Sequence, residues 1–159
     1  VLSVCGKYRY ALELHWWKSN ALLYFLMINP STASHLKADP TVRKCIRFAQ
    51  IYGFGGLHIQ NLFALRSANQ LDLLGTADPV GVETADWLAS LPRNASLVCA
   101  WGCGKTGAIR RLVAERLTQI EGILHDRQLL SLGVTAAGDP CHPLMLGYNT
   151  NLQPFTLRK

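Results

Sequence analysis

Leu22-Leu23-Tyr24-Phe25-Leu26-Met27-Ile28-Asn29-Pro30-Ser31-Thr32-Ala33 is the stretch on which the fold of this chain turns. Its first seven residues are apolar or aromatic. Such a run is too short for a buried helix and suits a strand covered on both faces, as in a parallel sheet flanked by helices. Pro30 ends the run, because it has no N–H for a ladder and biases Asn29 towards an extended conformation. The Asn29 amide is thereby left at the carboxyl edge of a central strand, where open α/β sheets bind their ligands.

Upstream, Tyr8 to Leu14 alternates polar with apolar side chains and His15 to Asn20 supplies a turn, which predicts an edge hairpin feeding the central strand. Downstream, Asp39-Pro40-Thr41 reads as a helix N-cap followed by proline at the first helical position. That helix is expected to reach about Tyr52, with Val42, Cys45, Ile46 and Ala49 inward, Arg43, Lys44 and Arg47 outward, and Gly53 as the stop. Leu57 to Leu65 is a second strand candidate containing Asn61, and Arg66 to Asn69 is a polar loop. Asp78-Pro79 repeats the cap-then-proline signal before a helix through Trp87 and Leu88. Ser96 to Trp101 is a third buried strand, Ala108 to Gln119 an amphipathic helix with Arg110, Arg111 and Arg116 outward, and Gln128 to Leu132 a fourth strand. This alternation predicts one α/β domain over residues 1–159. Its expected form is a three-layer sandwich with a central, mostly parallel four-stranded sheet plus an N-terminal edge hairpin.

Composition narrows the function classes. With 159 residues, 49% of them hydrophobic and 16% charged, the chain can bury a core of ordinary size. No apolar run approaches the roughly 20 residues of a membrane span. The first ten residues lack the charged-then-apolar order of a signal peptide, so no membrane partner and a cytoplasmic location are expected. Cys5, Cys45, Cys99, Cys103 and Cys141 are odd in number and scattered, which predicts reduced core thiols. A net charge of +6 and a pI near 9.3 favour a polyanionic partner, nucleic acid or nucleotide, although a solvated basic face has the same composition. None of these quantities encodes an oligomeric state.

Gly102-Cys103-Gly104-Lys105-Thr106-Gly107 follows a strand and precedes a helix, as a dinucleotide-binding loop does. The acidic residue such a loop needs at the end of the next strand is missing, because Asp126 precedes that strand. A Walker loop would need glycine where Cys99 stands. The expected role is a tight turn whose amides and Lys105 can meet a phosphate, with no cofactor. Cys99-x-x-x-Cys103 with Cys141-His142 has neither zinc-ribbon nor zinc-knuckle spacing, so no metal is expected. His15, His35, His58 and His125 stand in contexts typical of surface or loop residues. His142 differs, because Pro140 and Pro143 stiffen the loop that carries it.

Asn29, Asn61 and His142 thus all lie at or just past predicted carboxyl ends of strands. Together with Arg9-Tyr10, Asp39-Pro40-Thr41, Arg43, Asn61-Leu62-Phe63-Ala64-Leu65-Arg66, Trp101-Gly102 and His142-Pro143-Leu144, the Asn29 to Ala33 motif resembles a bacterial, phage and plasmid family known only as a domain of unknown function. More distantly, the order of motifs is similar to the uracil-DNA glycosylase superfamily. There a first strand ends in a water-orienting Asp or Asn before Pro, a second in a base-reading Asn, a third in Trp-Gly, and a His-Pro loop comes last.

That second resemblance implies a glycosylase-like fold and hydrolysis of the N-glycosidic bond of a nucleobase in DNA or in a nucleotide. It implies Asn29 for the attacking water, His142 for the leaving base and Asn61 for base recognition. Pro30, Ser31, Phe63, Trp101 and Gly102 would build the pocket, and Arg43, Arg66 and Lys105 would meet phosphate. An aromatic among Phe48, Tyr52, Phe54 and Phe63 would stack on the base. Two departures stand out: Leu144, Met145 and Leu146 follow His142-Pro143 where serine is usual, and Ser31-Thr32-Ala33 replaces an aromatic or glycine. The alternative expectation is a non-catalytic module of the same fold that binds nucleic acid or a nucleotide.

Overall fold

In a computed structural model describing residues 1–17, 21–32 and 39–157, the strands are β1 (Leu12–His15), β2 (Leu22–Met27), β3 (Gly56–Asn61), β4 (Leu97–Cys99), β5 (Leu129–Ser131) and β6 (Gln153–Pro154). They form one mixed six-stranded sheet in the order β1-β3-β2-β4-β5-β6. The inner strands β3, β2, β4 and β5 run parallel, and β1 and β6 close the two edges antiparallel. Among the described residues the helices are α1 (Pro40–Ile51), α2 (Asp72–Gly75), α3 (Thr84–Ala89), α4 (Gly107–Gln119) and α5 (Glu121–Leu124).

The uninterrupted apolar run of β2 follows from its position between two helical layers. Leu23, Phe25 and Met27 pack with Leu57, Ile59 and Val98 against Cys45, Phe48 and Ala49 of α1. Leu26 and Ile28 point the other way, joining Leu62, Leu97 and Trp101 against Leu88, Ile109, Val113 and Leu124 from the remaining helices. A strand with both faces buried has no polar face to alternate with.

Several expectations need correction. The N-terminal hairpin does not form: β1 pairs with β3, Leu12 opposite Ile59 and His15 opposite Gly56, while β2 occupies the other side of β3. Alternation marks an edge strand but carries no information about its partner. Residues 18–20 of the expected turn lie outside the described residues, as does His35. Asp78 does not cap a helix, because its Oδ1 accepts the N–H groups of Val80 and Gly81 at 3.0 and 2.9 Å and closes a turn, and α3 starts later. Arg116 is buried rather than outward, its Nε donating to the Leu62 carbonyl at 3.0 Å just past the end of β3. His58 is buried as well, since the register sets it opposite Glu13, whose carboxylate lies 2.8 Å from its Nδ1. Cys45 and Cys99 are core thiols, but Cys5 and Cys103 are exposed.

Gly56 shows why β3 must open on glycine. A Cβ there would meet Leu22 of β2 and stand 2.6 Å from the Leu14 carbonyl oxygen of β1. A backbone oxygen cannot withdraw without breaking the β1–β3 ladder. Gly56→Ala is therefore expected to cost about 1–3 kcal/mol, the usual cost of overpacking. The check is a lower urea midpoint at unchanged m-value.

Candidate functional site

β2 and β3 stay zipped beyond their ends, because the Leu62 N–H donates to the Met27 carbonyl at 2.8 Å and the Phe63 N–H to the Ile28 carbonyl at 3.0 Å. Asn29 therefore emerges beside the end of β3, and Pro30 turns the chain away. The Pro30 carbonyl then accepts the Ser67 N–H at 2.9 Å, and Asn29 Nδ2 donates to the Ser67 carbonyl at 2.9 Å. A carbonyl only accepts, so the nitrogen of the Asn29 amide faces Ser67 and its Oδ1 is left for a cavity that Asn29 lines. Asn61, the last residue of β3, points to the same cavity. It is 5% exposed, and its amide makes no hydrogen bond among the described residues.

The amino end of α1 forms a second wall. Asp39 caps it, Oδ1 accepting the Val42 N–H at 2.8 Å, while Oδ2 accepts the Ser31 hydroxyl and ties the Pro30 turn to the helix. Two helical residues, Thr41 and Val42, also line the cavity.

His142 closes a third side. The Gly102 N–H donates to the Pro140 carbonyl at 3.0 Å, and Gly102 has φ +72°, so the Trp101-Gly102 turn backs directly onto the His142 loop. A Cβ at Gly102 would stand 3.3 Å from the His142 Cβ. His142 Nδ1 accepts the Leu144 N–H at 3.3 Å at the start of a short 3-10 helix. The neutral ring therefore carries its proton on Nε2. Burial lowers the imidazole pKa below its ordinary value and the Asp39 carboxylate only partly opposes this, so the ring is a neutral donor at pH 7.

Lys105 enters from the turn before α4, its backbone N–H donating to Gln70 Oε1 at 3.1 Å across the cavity mouth. Arg9 brings a second positive charge. The volume of this open cavity is about 190 Å³, with Leu12, Met27, Ile28, Val42 and Ile59 as apolar walls. Pockets for drug-sized ligands run to about 300–1,000 Å³, so this one suits a single heterocycle better than a whole nucleotide.

Asn29, Pro30, Ser31, Asn61, Lys105 and His142 are thus brought together. The other candidates are elsewhere. Arg43 is on the exposed side of α1. Arg66 is used internally, its guanidinium donating to the carbonyls of Gly6 and Thr32 at 2.8 and 3.2 Å. Phe63 is buried in the core, and Trp101 packs edge-on against Phe155 at 5.8 Å. Trp101 and Gly102 line a smaller cavity of about 70 Å³. Phe48, Tyr52 and Phe54 pack in the α1 core, and no Phe, Tyr or Trp is among the described residues lining the larger cavity. Leu146 packs in that core too, whereas Leu144 and Met145 are 40% and 86% exposed beside His142.

Sequence reasoning missed Asp39, Arg9, Ser67 and Gln70 as cavity residues. In the sequence Asp39 reads as a cap and Arg9 as part of a strand alternation, although both belong to the motif set quoted above. Ser67 and Gln70 carry no such signal. Among the described residues no group of His, Cys, Asp and Glu is arranged to hold a metal, and no helix is long and apolar enough to cross a membrane.

No curated protein and no solved structure matches the chain. A family model does match, over residues 9–144, a span that holds every element from β1 to β5 and every residue named at the cavity. The chain therefore belongs to the family described as Protein of unknown function (DUF1643).

Proposed function

We propose that the cavity takes a nucleobase, in DNA or in a nucleotide, and hydrolyses its N-glycosidic bond in the manner of the uracil-DNA glycosylase superfamily. The observation that carries this reading is the convergence of Asn29 Oδ1, the Asn61 amide and His142 on one cavity. Breaking a glycosidic bond builds positive charge on the sugar and negative charge on the base, and preorganised dipoles can stabilise both. A neutral His142 donates Nε2–H to a base carbonyl as charge gathers there. Asn61 offers a donor and an acceptor to a base edge, and Asn29 Oδ1 accepts from a water. Arg9, Lys105, the net charge of +6 and the exposed Leu144 and Met145 suit a DNA surface beside the cavity. A bound base would lie against Met27, Val42 and Ile59 instead of an aromatic ring.

That last feature favours a second reading, a non-catalytic module that binds nucleic acid or a nucleotide. Single- and double-stranded DNA carrying uracil or hypoxanthine, and free nucleotides, distinguish the two. Abasic sites or free base are expected from the wild-type protein and strongly reduced product from Asn29→Ala. Salt-sensitive binding without product on any substrate would instead support the module.

A further inference from the structure

We propose that Asp39, held by Ser31, is the proton acceptor of this cavity and supplies the basicity that an amide at position 29 lacks. The proposal rests on the glycosidic-hydrolysis reading. Among the described residues lining the cavity, Asp39 is the one carboxylate. Both of its oxygens are oriented, Oδ1 by the Val42 N–H of α1 and Oδ2 by the Ser31 hydroxyl. Each carboxylate oxygen has a second lone pair, so these two bonds leave capacity to accept from a water in the cavity. Ser31 belongs to the same turn as Asn29, so the carboxylate and Asn29 Oδ1 are carried by segments bonded to each other. Asn61 is more than nine-tenths buried, with an amide on that cavity that makes no hydrogen bond among the described residues, which marks the space beside Asp39 as one built to hold a ligand.

In the step assigned to Asp39, the water oxygen bonds to the anomeric carbon and the carbon–nitrogen bond breaks, its electron pair going to the base. The water proton passes to Asp39. It returns through solvent to the departing base, so the products are a free base and a sugar bearing a hydroxyl, and Asp39 ends as a carboxylate. While the sugar is positively charged, the same carboxylate lies beside it as a counter-charge. Charged and titratable groups facing Asp39 are Arg9 from the segment before β1, His142 from the loop after β5, Lys105 from the turn before α4, and Cys45 within α1.

Asp39→Asn isolates the basicity from the architecture. Asparagine is as good an N-cap as aspartate, and the Ser31 hydroxyl can rotate to accept from the new amide. On whichever substrate the wild-type protein cleaves, kcat is expected to fall about 100-fold or more, within the range for loss of a general base, with KM unchanged. The shape of the kcat/KM pH profile is expected to change, which a purely structural cap would not produce. Asp39→Gly, also a tolerated cap, serves where asparagine loosens α1. Comparable losses with wild-type thermal midpoints support the assignment. Turnover at the wild-type rate with an unaltered pH profile in either variant overturns it and leaves Asp39 a cap and clamp. A wild-type protein that cleaves none of the substrates overturns the hydrolase reading first, and this inference with it.

Discussion

On the glycosidic-hydrolysis reading proposed above, His142→Ala is expected to lower kcat about 10²–10³-fold, the usual cost of deleting one preorganised donor at a developing oxyanion. The expectation follows from three backbone constraints. Pro140 and Pro143 stiffen the loop, Gly102 abuts the His142 Cβ, and the Leu144 N–H occupies Nδ1, so the ring has one free direction and one free proton. Binding of the ground-state base should change far less than kcat, because charge on the base carbonyl grows only towards the transition state.

The same residue sets a pH dependence of stability. Its folded-state pKa is lowered by burial, while the unfolded chain titrates near the ordinary imidazole value of about 6.5. Between those two values the unfolded chain binds the extra proton, so this contribution to stability is present above about 6.5 and is lost as pH falls through the window below it. Thermal midpoints of wild-type protein should decline on acidification through that window more steeply than those of His142→Ala.

Phe48→Ala is expected to cost about 3–5 kcal/mol, a large share of the roughly 5–15 kcal/mol by which a domain is stable. Phe48 is fully buried, stacked on Tyr52 at 6.0 Å and met edge-on by Tyr148 at 5.5 Å. Those partners are bonded onwards. The Tyr52 hydroxyl donates to the Thr150 carbonyl at 2.6 Å, and Lys44 Nζ lies 4.1 Å from the Tyr148 ring centre while donating to the Leu146 carbonyl at 2.5 Å. Truncation leaves a cavity and also unseats the segment after His142 from α1. Chemical denaturation should give the loss in stability, and amide exchange should quicken at Leu146 and Thr150 beyond the global change.

How much of this was legible in the sequence depends on what each signal encodes. A proline after an apolar run, or after an aspartate, specifies where an element ends or begins, and Asn29 and His142, each followed by proline, are readable for that reason, whereas Asn61 stands out only as a polar residue within an apolar run. The partner of β1 was not, since alternation specifies a face and says nothing of register against distant chain. β6 is two residues long and includes Pro154, too little pattern for any period. Helical periodicity misplaces Arg116 because it describes the helix alone, whereas the Leu62 carbonyl that claims it comes from another element. Phe63 and Arg66 follow the same logic: β3 stops at Asn61, and the chain then plunges into the core before Arg66 is spent on two carbonyls. Asp39 was half-read, because one carboxylate both caps a helix and lines the cavity.

The bond from Asn29 Nδ2 to the Ser67 carbonyl limits the paths by which this chain could change. Changing the amide at position 29 to a carboxylate would set two oxygens against each other with no proton between them. A carboxylate at position 29 would therefore require the loop carrying Ser67 to rearrange. Positions 29 and 67 are in this sense one physical unit, the amide at one being matched to the carbonyl at the other.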